Sequence, residues 1–113
     1  MTPIKINAVA FRKDGLWIAR CLEYNFASCA ETLEGLANEL LRQVIGQVEA
    51  DLEAGHEPFF GYKPAPQKYW DMFAAAKAVT KPIKPRKSVS QRWREFRDRA
   101  KVETQLFPIA AAA

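Results

Sequence analysis

Residues 15–55 read GLWIARCLEYNFASCAETLEGLANELLRQVIGQVEADLEAG. The stretch opens on a period of two and closes on a period of 3.6, so one strand hands over to one long helix. In Leu16–Leu22, the side chains of Trp17, Ala19 and Cys21 face one way, and those of Leu16, Ile18 and Leu22 face the other. From Thr32 to Ala54, an apolar stripe runs through Leu33, Leu36, Ala37, Leu40, Leu41, Val44, Ile45, Val48 and Leu52 at spacings of three and four. Thr32 suits the N-cap, because its hydroxyl accepts from free N–H groups of the first turn. Glu34 suits the positive end of the helix dipole. Gly55 stands where a C′ residue in the left-handed conformation closes a helix.

The flanks extend this unit. Ile4–Phe11 alternates, with Ile4, Ile6, Ala8 and Ala10 on one face and Val9 and Phe11 on the other. Asp14-Gly15 between two apolar runs predicts a tight hairpin, since both central residues of a type I′ turn need positive φ. Glu23-Tyr24-Asn25 turns the chain, and Phe26–Ala30 is expected as a short third strand. After the helix, His56–Lys63 is expected as a short edge strand, broken by Pro64 and Pro66. Gln67–Val79 predicts a second helix, strongly apolar through Tyr69, Trp70, Met72, Phe73 and Ala76. Thr80–Lys87 has the composition of a solvated Pro/Lys linker. Ser88–Gln105 predicts a third helix, with Ser88 and Gln91 as a capping box and Val89, Trp93, Phe96 and Ala100 as a narrow seam. Leu106–Ala113 is expected as a frayed terminus.

The segments Gly15–Tyr24 and Ala30–Leu40, with the Gly55-x-x-Pro58 stretch that follows the helix, resemble the HicB-like antitoxin domain over about residues 4–63. Leu22-Glu23-Tyr24-Asn25 stands where that family carries a Pro-Asp-Leu-Pro-Gly-type turn, and Ala30 stands where it favours Gly. The resemblance implies a small sheet with one long helix across a face. It also implies a non-catalytic binding module that acts as an antitoxin by occluding a small toxin nuclease.

The expected fold class is α+β: a small antiparallel sheet of β-β-β-α order with one long helix on a face, plus a C-terminal helical extension. Three regions follow: a core over 1–63, an apolar helix over 64–79 packing on the core or a partner, and a basic linker and helical tail over 80–113. Strand Leu16–Leu22 is apolar on both sides, so something must cover the second face. The candidates are the second helix and another subunit. Phe59, Phe60, Tyr69, Trp70 and Phe73 are the candidate partner or dimer surface, and a homodimer is expected.

Charge divides the chain. Residues 1–76 carry 7 Lys/Arg and 10 Asp/Glu; residues 77–113 carry 10 and 3. A basic tail with interleaved aromatics can neutralise phosphates and stack on bases. The candidate nucleic-acid contacts are Lys84, Arg86, Lys87, Arg92, Trp93, Arg94, Arg97, Arg99 and Lys101. The alternative function is therefore a small nucleic-acid-binding protein, or a stand-alone dimerisation domain.

Enzymatic chemistry finds no foothold in the residues. His56, the single histidine, lies past a helix C-terminus and reads as a capping or solvated group. Glu31, Glu34 and Glu39 fit the first turn and polar face of a helix. Cys21 and Cys29 are too few for a zinc site or a disulfide framework and read as two small buried hydrophobes. No cofactor or metal is expected. No apolar run nears the roughly 20 residues that span a bilayer, and the start lacks the charge and apolar block of a leader. A cytoplasmic protein without membrane association is the expectation.

Overall fold

The structure, a computed structural model, describes residues 4–83 and 102–108. Strand β1 (Ile4–Lys13) runs into β2 (Leu16–Cys21) through the Asp14-Gly15 hairpin. Asp14 has φ +53° and Gly15 φ +80°, as a type I′ turn requires. Antiparallel pairing runs from Lys13↔Leu16 to Ala8↔Cys21. Strand β3 (Ala27–Ala30) pairs antiparallel with β2, Trp17 opposite Ala30. The alternation read from the sequence sets the two faces: Ile4, Ile6, Ala8, Ala10, Ala19 and Cys21 line one buried cluster, and Val9 and Phe11 belong to another.

Helix α1 (Leu33–Glu53) lies across the first face. The Thr32 hydroxyl accepts from the Gly35 N–H at 3.0 Å. Leu36, Ala37, Leu40, Leu41, Val44 and Val48 are the buried stripe. Ser28, buried on the same face, donates its hydroxyl to Gln43 Oε1. At the far end, Gly55 N–H bonds to the Leu52 carbonyl and His56 N–H to that of Asp51, a Schellman closure with Gly55 at φ +79°.

Over β1 and Val102–Pro108 the second face is covered from within the chain. Helix α2 (Gln67–Val79) lays Tyr69, Met72, Phe73 and Ala76 against Val9, Phe11 and Phe107. Strand β4 (Val102–Pro108) adds to β1 on the edge away from β2, with Ile4 opposite Val102 and Ala10 opposite Pro108. The sheet order is β3-β2-β1-β4. The molecule is α+β, with one helix on each face of the sheet.

Five expectations are corrected. The sheet is mixed rather than antiparallel, because β4 runs parallel to β1. Residues 102–108 are neither the end of a third helix nor a frayed terminus: Leu106 and Phe107 are buried on opposite faces. Within the linker, Ile83 donates its N–H to the Leu106 carbonyl at 2.7 Å and packs on the core, so this part is held rather than solvated. Residues Phe59–Gly61 form turns rather than an edge strand, since Phe59 and Gly61 both have positive φ. Cys29 is also exposed, because it points to the face of β3 that α2 does not reach; Cys21 is buried as expected. The 88–101 part of the helix expected over Ser88–Gln105 lies outside the described residues.

Candidate functional site

The end of the molecule where α1 finishes gathers Tyr24, Phe26, Phe59, Phe60 and Tyr62. After Gly55 the chain must double back toward the sheet. The Asp51 carboxylate, one turn before the helix end, holds it there: Oδ2 accepts from the Phe59 N–H at 2.7 Å and Oδ1 from Gln47 Nε2 at 3.0 Å. Phe59 is thereby kept at φ +60°, a conformation that bulky side chains rarely adopt. A cost of about 1–3 kcal/mol is usual for such backbone, and packing offsets it. The Phe59 ring is buried between Tyr24 and Phe26, parallel to both, with centroids 4.2 Å and 5.8 Å away. Tyr62 meets Phe59 and Tyr24 edge-on at 5.3 Å and 6.4 Å. Offset and edge-on pairs of this kind contribute about 0.5–1.5 kcal/mol each beyond burial.

The turn after β2 supplies the other half of the stack. Asn25 takes φ +48°, which lets the Phe26 carbonyl accept from the Cys21 N–H at 2.8 Å. Asn tolerates this left-handed backbone better than other side chains do. Glu23 then faces β1, where β2 no longer pairs. Its Oε1 accepts from the Asn7 backbone N–H and its Oε2 from Asn7 Nδ2, both at 2.7 Å. Beneath them, burial pushes the Cys21 thiol up to about 12, with the Glu23 charge adding to the effect. Burial also raises Tyr24, as do the Glu23 and Cys21 charges.

On this rigid base the exposed rings stand outward. Phe60 is 70% exposed and stacks on His56, centroids 5.3 Å apart. Tyr62 is 41% and Leu52 43% exposed. Of the candidate partner surface, Phe60 alone is fully outward. Phe59 is buried; Tyr69 and Phe73 pack on Phe11 and Phe107 of their own sheet; Trp70, half-buried, donates its indole N–H to the Ala65 carbonyl. Tyr24, Phe26, Tyr62 and Asp51 belong to the site and were not singled out from the sequence. Their contacts cross between two turns, which no local period encodes.

The nine candidate nucleic-acid contacts, Lys84 through Lys101, lie outside the described residues. Their attachment does not: Ile83 and Val102 are both seated on the sheet. The basic stretch is an insertion between two held points rather than a terminal tail. Among the described residues, no cluster of His, Cys, Asp or Glu is placed to hold a metal ion. Among them, too, no helix is long and apolar enough to cross a membrane. Comparison of the chain with protein-family models, curated proteins and solved structures finds no match.

Proposed function

We propose that this chain is a HicB-like, non-catalytic binding module of the cytoplasm that sequesters a small protein partner, antitoxin-like, with a toxin nuclease as the partner class. The observation that carries this reading is the aromatic end: Phe60, Tyr62 and Leu52 are exposed apolar groups mounted on a buried, parallel ring stack. Rigid aromatics lose little entropy on binding and dominate protein interfaces. The β-β-β-α order over Ile4–Glu53, with the helix across one face, is the arrangement that the sequence resemblance implies.

The test uses the reading frame beside this gene. A small basic protein encoded there should arrest growth and cleave RNA when expressed alone, and one equivalent of this chain should suppress both. Phe60→Ala with Tyr62→Ala should weaken the complex by about 100-fold or more, since hot-spot rings are each worth 2 kcal/mol or so. A neighbour that neither binds nor cleaves RNA would sink the antitoxin reading.

A further inference from the structure

On the sheet face opposite α1, helix α2 covers β1 and β4 and leaves β2 and β3 partly open. Leu16 is 37% exposed, Cys29 and Ala27 are exposed, and Ile18 is half-buried. Arg20 stands among them. Its guanidinium lies over the Tyr69 ring at 4.9 Å, and Lys68 Nζ approaches the same ring at 4.9 Å. Two cations therefore converge on one tyrosine. Among the described residues, neither has a carboxylate partner. Arg20 Nη1 donates to the neutral Asn25 Oδ1 at 3.3 Å, and Nε is buried without a hydrogen-bond partner among the described residues. The ring quadrupole attracts the flat side of the guanidinium but accepts no in-plane hydrogen bond. Beside this cation runs β3, an edge strand whose outer side pairs with no strand among the described residues.

A guanidinium without a carboxylate partner among the described residues presents a planar fork that a carboxylate matches. An open edge strand accepts an extended segment of another chain, whose main chain bonds along it while alternate side chains reach the sheet face. We propose that this corner is a second interaction surface. It takes an extended segment of a protein partner along β3, with an acidic side chain of that segment on Arg20, supported by Lys68. Leu16, Ile18 and Cys29 receive the apolar neighbours. A small free carboxylate is the poorer fit, because small ligands are held in clefts that bury most of their surface, and Arg20 stands on a sheet face lined by exposed side chains. The surface is distinct from the aromatic end, and its test needs no knowledge of the partner found there.

The experiment follows the Arg20 Nε–Hε and the Ala27–Ala30 amide signals of the full chain by NMR. The probes are a short capped Thr/Val peptide with one central Asp, the same peptide with Asn, and succinate. The Asp peptide should shift Arg20 and the β3 amides saturably, about tenfold more tightly than the Asn peptide. Arg20→Gln should make the two peptides equal, and Arg20→Lys should keep part of the difference. Three outcomes would overturn the proposal: equal affinity of the two peptides for the unmodified chain, succinate binding as tightly as the Asp peptide, or a change in the Arg20 signal of the free chain on Glu95→Gln or Asp98→Asn. The last would mean that an acid of the same chain already occupies the guanidinium.

Discussion

Single residues carry opposing demands at the aromatic end. Phe59 has unfavourable backbone and favourable packing. Phe59→Ala should therefore cost about 3–5 kcal/mol, the range for a buried aromatic truncation, read from a chemical-denaturation curve; a loss under about 0.5 kcal/mol would place the ring outside the core. Asp51→Ala removes the acceptor of the Phe59 N–H and should cost about 1.5–3 kcal/mol, as hydrogen bonds to charged groups do. The two cysteines separate cleanly. At pH 8, exposed Cys29 should react with a thiol reagent while buried Cys21 stays untouched until the chain is unfolded. The same burial sets a pH dependence. The Cys21 thiol loses its proton near its ordinary value of 9.0 in the unfolded chain and near about 12 in the folded one. Its contribution is full below pH 9 and falls as pH rises toward 12, by at most about 1.4 kcal/mol per pH unit. Cys21→Ala should flatten that decline, and Tyr24, whose shift has the same sign, contributes to the part that persists.

At the scale of elements, α1 was the most legible. Its stripe, cap and closing glycine were all written in local sequence, and each stands where it was expected except that Leu52, the last member of the stripe, is exposed. Leu40→Ala should cost about 2–5 kcal/mol, because the side chain is 2% exposed and the cavity lies between helix and sheet. Strand β4 was the least legible. Val102, Thr104, Leu106 and Phe107 have strand propensity, but the helical spacing of Val89, Trp93, Phe96 and Ala100 reads on through Val102 and Thr104, and Leu106 and Phe107 fall in the stretch expected to fray. What makes 102–108 a strand is its parallel pairing with β1 at the other end of the chain. Leu106 and Phe107 are both buried, so a chain ending at residue 101 should lose its cooperative thermal transition; an unchanged melt would mean that β4 is dispensable. A chain cut at Ala76 lacks β4 as well, so it cannot isolate the contribution of the basic stretch.

At the scale of the whole molecule, cover for the apolar faces decides the architecture. The doubly apolar β2 called for cover on the second face of the sheet; α2 covers that face over Val9, Phe11 and Phe107 of β1 and β4, while Leu16 of β2 stays exposed and Ile18 half-buried. The need that pointed to a dimer is met inside one chain for β1 and β4 only. A homodimer remains a proposal resting on the exposed Phe60, Tyr62 and Leu52; light scattering should show two copies, and Phe60→Ala should shift the chain to one. The basic stretch calls for a charge test in the intact protein. If it binds nucleic acid, Arg92→Gln, Arg94→Gln, Arg97→Gln and Arg99→Gln together should weaken binding equally for all sequences. On duplex DNA they should also flatten the salt dependence by about 0.9 for each phosphate that is no longer neutralised. Identical salt slopes for the parent and the fourfold variant would remove the nucleic-acid alternative.

Local sequence by itself determined the hairpin, the long helix with both its caps, the second helix and the division of β1 and β2 into two faces. Each rests on interactions between near neighbours: two residues for a turn, three or four for a helix, alternate positions for a strand. Tertiary structure alone decided the rest. It laid α2 over β1 and β4, made a strand of residues 102–108, buried Phe59 while exposing Phe60, and set Arg20 against Tyr69. Each of those outcomes depends on which distant segment a residue meets, and that is fixed only when the sheet has closed against both helices.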